Sequence, residues 1–141
     1  ASTAPLDGNQ IEAKGGGIMQ DIREIVQSAL DAAFYGKVDV TPEELISDEL
    51  PGEYITYLVL SGGYTYYANN RPIRKTEYVD VKWRGLDITV KNKRMEEIET
   101  AMRKAGFYPQ GLPSDLYRDE TSRYFGATQE FALSREVPYA D

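Results

Sequence analysis

The chain has 141 residues, enough for one domain that buries roughly two-thirds of its unfolded surface. Its 16 basic and 23 acidic side chains leave a net charge of −7, which argues against a sequence-reading DNA binder, since tight duplex binding needs a basic face. With no cysteine and no histidine there are no disulfides, no thiolate chemistry and no neutral-pH imidazole base.

An apolar share of 41% with 28% charged residues suits a globular domain. No apolar run approaches the ~20 residues that span a bilayer, so no membrane partner is expected. Residues 1–17, "ASTAPLDGNQIEAKGGG", are small, polar and without period, and read as a flexible leader. Met19 follows the Gly15-Gly16-Gly17 run and is a candidate natural start, which would make the leader an addition.

The remaining text, 18–137, reads as a single α+β domain, with a loose tail at 138–141. Ile18, Ile22, Ile25, Val26, Ala29, Leu30, Ala33 and Phe34 recur at helical steps, predicting a helix over about Ile18–Tyr35 that Gly36 ends. In "VDVTPEELISDELPGEY", Thr41 can cap a short helix with Pro42 at its first position and Glu43 and Glu44 near its positive end. Pro51-Gly52 then breaks the chain.

Three strands are predicted near Tyr54–Ser61, Tyr64–Ala68 and Lys75–Trp83, with Gly62-Gly63 as a tight turn and "ANNRPI" as a longer one. Val79, Val81 and Trp83 alternate with Tyr78, Asp80 and Lys82, so the third strand has one core face. The first strand is apolar on both faces, which asks for cover on both, and a neighbouring subunit is one candidate for the second. A second helix follows over about Asn92–Ala105 on the stripe Met95, Ile98, Ala101, Met102, with Gly106 to end it. One or two terminal strands come last, the firmest about Arg123–Arg135 with Phe125, Phe131 and Leu133 inward and a possible bulge at Gly126. The predicted fold is therefore one antiparallel or mixed sheet of about four to five strands, with two helices on one face, in the order α-β-β-β-α-β(-β).

The sharpest chemical candidate is "VDVKW". An Asp-x-Lys on one strand face, within this order of elements, resembles restriction-type nucleases, where the Asp holds a divalent metal and the Lys polarises water. On that reading Asp80 and Lys82 carry a metal-dependent nuclease. The second acid such a site needs on the preceding strand is missing, because Tyr64–Thr76 contains no Asp or Glu. A cross-strand charge pair explains Asp80 and Lys82 as well. Asp39, Glu43, Glu44, Asp48 and Glu49 could bind a hard cation weakly, but match no cation-loop spacing, and helix starts collect acids anyway. The triple glycine lacks the Gly-Lys-Ser/Thr ending of a phosphate loop. No catalytic, cofactor-binding or metal residue is expected, and no cofactor.

Tyrosines carry more information. Tyr54, Tyr57, Tyr64, Tyr66, Tyr67 and Tyr78 fall on neighbouring strands, and alternation places several away from the helices. A large ring with a wet hydroxyl suits sheet packing and protein interfaces alike. Stacking of single-stranded nucleic acid would need a basic groove beside the rings, and Arg71, Arg74 and Lys75 supply only a small one.

The order of elements, centred on "LPGEYITYLVLSGGYTYYANNRPIRKTEYVDV", resembles the tail-completion or tail-terminator proteins of long-tailed bacteriophages over about Met19–Val137. The likeness lies in strand text and turns ("YITY", "ANN(x)P", "VDV"). It implies a non-enzymatic ring of copies, usually six, on the head-proximal end of the tail tube, which stops tube growth and helps join the filled head. It also implies the tail-tube protein and a head-completion or connector protein as partners, DNA only as passing cargo, and a place in the virion after assembly in host cytoplasm. Residue type and predicted exposure then pick Tyr64, Tyr66, Tyr67, Asn69, Asn70, Arg71 and Arg74 as interface residues. A small protein-binding adaptor is the remaining alternative.

Overall fold

The computed structural model describes residues 20–45, 49–117 and 123–137. The leader expected at 1–17 and the tail expected at 138–141 lie outside these described residues. The elements run α1 (Ile22–Phe34), β1 (Asp39–Pro42), a 3-10 turn (Glu43–Leu45), β2 (Glu53–Ala68), β3 (Arg71–Gly85), a 3-10 turn (Ile88–Val90), α2 (Lys91–Lys104), β4 (Tyr108–Leu116) and β5 (Phe125–Glu136). This is the α+β order expected, built on one mixed sheet ordered β1-β2-β3-β5-β4.

Helix α1 starts where the Asp21 carboxylate accepts the Arg23 backbone N–H at 2.8 Å, satisfying one of the donors a helix start leaves open. Its four-residue rhythm buries Ile22, Val26, Leu30 and Phe34. Gly36 stops it at φ +77°, a left-handed value that a side chain would resist. Helix α2 buries Met95, Ile98, Ala101 and Met102 and ends at Gly106, φ +95°. Phe107 folds back, its N–H reaching Met102 O at 3.0 Å while its ring enters the core.

Strand β1 runs parallel to β2, and all other pairings are antiparallel. Register aligns the core in cross-strand rows: Ile55–Trp83–Ala127, Tyr57–Val81–Gln129 and Val59–Val79–Phe131. These side chains meet the stripes of both helices, with Trp83, Phe34 and Phe131 fully buried. Each such large side chain contributes roughly 1.5–3 kcal/mol through its removal from water.

Three local expectations are corrected. Gly62-Gly63 is not a turn: the stretches expected as two strands form a single strand of 16 residues. Between Leu60 and Gly63 that strand gains a residue on β3, a bulge. Gly62 serves it by close approach, since a Cβ there would stand 2.2 Å from the Thr76 carbonyl oxygen. Thr41 and Pro42 close β1 instead of opening a helix, and only the 3-10 turn Glu43–Leu45 follows. Proline is tolerated there because β1 is an edge strand. Gly126 makes no bulge: it keeps register with Arg84, and a Cβ would meet Leu116 Cβ at 3.1 Å.

Candidate interaction site: a tyrosine-bearing hairpin arm

Strands β2 and β3 form one long hairpin whose far half leaves the body of the domain. β1 pairs with β2 only along Tyr54–Tyr57, so from Leu58 onward the outer edge of β2 has no strand beside it among the described residues. Every residue from Ser61 to Asn70 is exposed. The loop itself is two residues, Asn69 at φ +53° and Asn70 at φ +63°, the doubly positive geometry of a type I′ turn. Asparagine tolerates that region better than other side chains, which is why "NN" reverses the chain here.

Tyr64, Tyr66 and Tyr67 are 56%, 61% and 64% exposed, so their rings lie largely in water. Ile73 near the tip is 40% exposed and adds to the apolar display. The six tyrosines that seemed one set therefore divide. Tyr54 and Tyr57 are buried: Tyr54 meets Tyr124 edge-on at 5.4 Å, and Tyr57 donates to Gln27 Oε1 at 2.6 Å. Burial, reinforced by the Asp31 and Glu44 carboxylates, pushes the Tyr57 hydroxyl up to about 12. Tyr78 is intermediate.

Arg71 is exposed at the tip, and Arg74 is held at the root of the arm. Its Nε donates to Ser134 Oγ at 3.2 Å and its Nη2 to the Ser134 carbonyl at 3.3 Å, tying the arm to β5. Lys75 lies 3.7 Å from Glu77, which also binds Arg135, and Arg135 Nη1 donates to the Gln20 carbonyl at 2.7 Å. The base of the arm is thus fastened to β5 and to the start of α1. The structure brings the seven selected residues together on one arm, with Arg74 serving as an anchor at its root.

Asp80 and Lys82 lie on the sheet face away from the helices. Lys82 Nζ donates to Glu43 Oε1 at 2.8 Å. Burial holds the Asp80 carboxyl above its ordinary range, opposed by Lys82 and aided by Glu43. Among the described residues no group of three or more acidic side chains converges to hold a metal ion. A separate groove of about 760 Å³ runs between α1 and α2, floored by Ile25, Ala29, Ala33, Ala101 and Ala105.

Compared with protein-family models and with curated proteins, the chain matches none. Two exposed side chains escaped the sequence reading: Leu112 at 87% and Tyr117 at 89%, on and just after β4. Their surroundings, "GLPSDLY", are turn-like in composition and hid a strand.

Strand β4 is an edge of a different kind. Pro109 and Pro113 lack backbone donors, and its register slips between Gln110 and Ser114. The buried Gln129 amide repairs the slip from below, donating to Gln110 O at 3.3 Å and Gly111 O at 3.1 Å. β2 has neither proline nor charge from Leu58 to Ala68.

Proposed function

We propose that this protein is a structural part of a long-tailed phage, assembling as a ring of copies on the head-proximal end of the tail tube. There it ends tube growth and presents the surface that receives the head. The observation that carries the reading is the arm: three large rings held out in water on a strand with an open edge. Exposed tyrosines on a projecting hairpin are a poor investment for a solitary domain and a good one for a chain that other chains cover. Repetition of one such heterologous contact around an axis closes a ring. The acidic balance of the chain suits a channel that phosphate backbones pass without sticking.

The test is to add the protein to growing tail tubes and image their ends. Density confined to one end, with elongation stopped there, is the expected result. Tubes that keep growing with bare ends would overturn the reading.

A further inference from the structure

Among the described residues the sheet offers three stretches of unpaired edge, and they are not equally guarded. β1 is four residues long, with Asp39 at its start and Pro42 at its end. β4 carries Pro109 and Pro113 and slips register between Gln110 and Ser114. Proline, charge and irregularity are the usual means of keeping an edge from pairing with another chain. The third stretch is β2 beyond the end of β1. From Ser61 to Ala68, "SGGYTYYA", it is uncharged, without proline and exposed throughout. Its outward backbone N–H and C=O groups have no strand beside them among the described residues and can pair with an added one.

Side-chain size decides which strand that is. Reversed against itself, the stretch sets Ser61 opposite Ala68, Gly62 opposite Tyr67, Gly63 opposite Tyr66 and Tyr64 opposite Thr65. All three tyrosines then face glycine or threonine. A ring laid across an edge glycine fills the gap left by the missing side chain, and Gly63 has nothing within 4 Å of the place a Cβ would take. In parallel register each tyrosine would meet itself and each glycine would stay bare. The reversed pair has a two-fold axis between Tyr64 and Thr65. In a regular strand such an axis would set one sheet face against the other. Here Tyr64 pairs with Lys75 and Tyr66 with Arg74, so Thr65 is the added residue of a bulge. Tyr64 and Thr65 share one step of the ladder, which removes the mismatch.

We propose that Ser61–Ala68 of one copy pairs antiparallel with Ser61–Ala68 of a second copy, joining two five-stranded sheets into one. The contact is isologous: the same patch serves on both sides. It stops at two copies, because the prolines of β4 shut the far edge of each sheet. This goes beyond the assembly reading and concerns the free chain, where pairing sheathes the tyrosines of both arms until another contact displaces it. It is measured without a tail tube, so either reading can fail without the other.

The test is a single-site charge exchange on the full chain, read by sedimentation. Thr65 is exposed and stands beside the axis, so its two copies lie well inside the ~10 Å over which charges act at moderate salt. Wild type should show a monomer–dimer equilibrium, and no larger species, at concentrations up to about 1 mM. Thr65→Lys and Thr65→Glu should each dimerise at least about tenfold more weakly, because like charges meet across the axis. An equimolar mixture of the two should regain association, which happens only where a residue meets its own counterpart. In wild type, amide exchange over Ser61–Ala68 should slow as concentration rises, a measurement that does not depend on either variant folding. A wild type that stays monomeric to about 1 mM overturns the proposal. So does a mixture as weak as its parts, or association that leaves these amides unprotected.

Discussion

The indole N–H of Trp83 donates to Glu53 Oε2 at 2.7 Å. The same oxygen accepts the Arg94 Nε–H at 2.7 Å, so one carboxylate joins the first residue of β2, the C-terminal end of β3 and the first turn of α2. Removing it strands the buried indole donor and leaves the Arg94 guanidinium with Glu97 alone. Glu53→Ala should lower stability by about 2 kcal/mol in urea titration, discounted from the deeply buried case because the Arg94 and Glu53 side chains keep some solvent. A change below a few tenths would mean that water replaces the carboxylate at little cost.

Adjacent glycines should respond oppositely to alanine. A Cβ on Gly62 would collide with the Thr76 carbonyl, while one on Gly63 meets nothing within 4 Å and needs no left-handed backbone. Gly62→Ala should destabilise by roughly 1–3 kcal/mol, and Gly63→Ala should stabilise by about 0.5 kcal/mol through the unfolded chain. Paired melting curves of the two variants read the difference directly. Equal effects would mean that the bulge relaxes freely.

At the tip, Asn70→Gly should be neutral or slightly stabilising, whereas Asn70→Ala should cost about 1 kcal/mol, because φ +63° is strained for alanine. Tyr64 and Tyr66 amide exchange, measured by NMR, should accelerate in the alanine variant only.

Stability should fall in alkali because of Tyr57. Its folded hydroxyl holds a proton up to about 12, against an ordinary value of 10.0. Between those values the folded chain keeps a proton that the unfolded chain has lost, so rising pH favours unfolding. The contribution is whole below pH 10 and gone above about 12. Tyr57→Phe should remove this slope while losing the bond to Gln27, and ultraviolet titration should find one fewer late-ionising tyrosine.

Asp80 has the same sign at the other end of the scale. Its raised carboxyl favours the neutral form, so ionisation costs stability as pH climbs through the carboxylate range. Asp80→Asn should raise the melting temperature at neutral pH and leave that at acid pH nearly unchanged. A fall at neutral pH would show that the charge is held favourably.

Periodicity made the helices and the third strand readable, because Val26, Leu30, Ile98 and Val81 are buried by pattern rather than by remote contacts. It failed at Gly62, where a bulge and a turn ask for the same residue for different reasons. It left the strand over Tyr108–Leu116 optional and unplaced, because β4 is held by a partner strand and by Gln129, neither visible locally. For the candidate site, alternation placed several tyrosines away from the helices, but the joint exposure of Tyr66 and Tyr67 on opposite faces comes from the arm leaving the body, which the local sequence does not show. The anchoring role of Arg74 is equally hidden, because Ser134 lies sixty residues away in sequence.

The proline-bearing margin at β4 has a practical corollary. Sheet proteins with two receptive sides can stack without limit, and such stacking is the beginning of fibrils. Here Pro109 and Pro113 close one side, and the bulges of β2 twist the other. Concentrated stocks should therefore stay clear on storage, with thioflavin fluorescence flat, even though a row of aromatic rings faces the solvent.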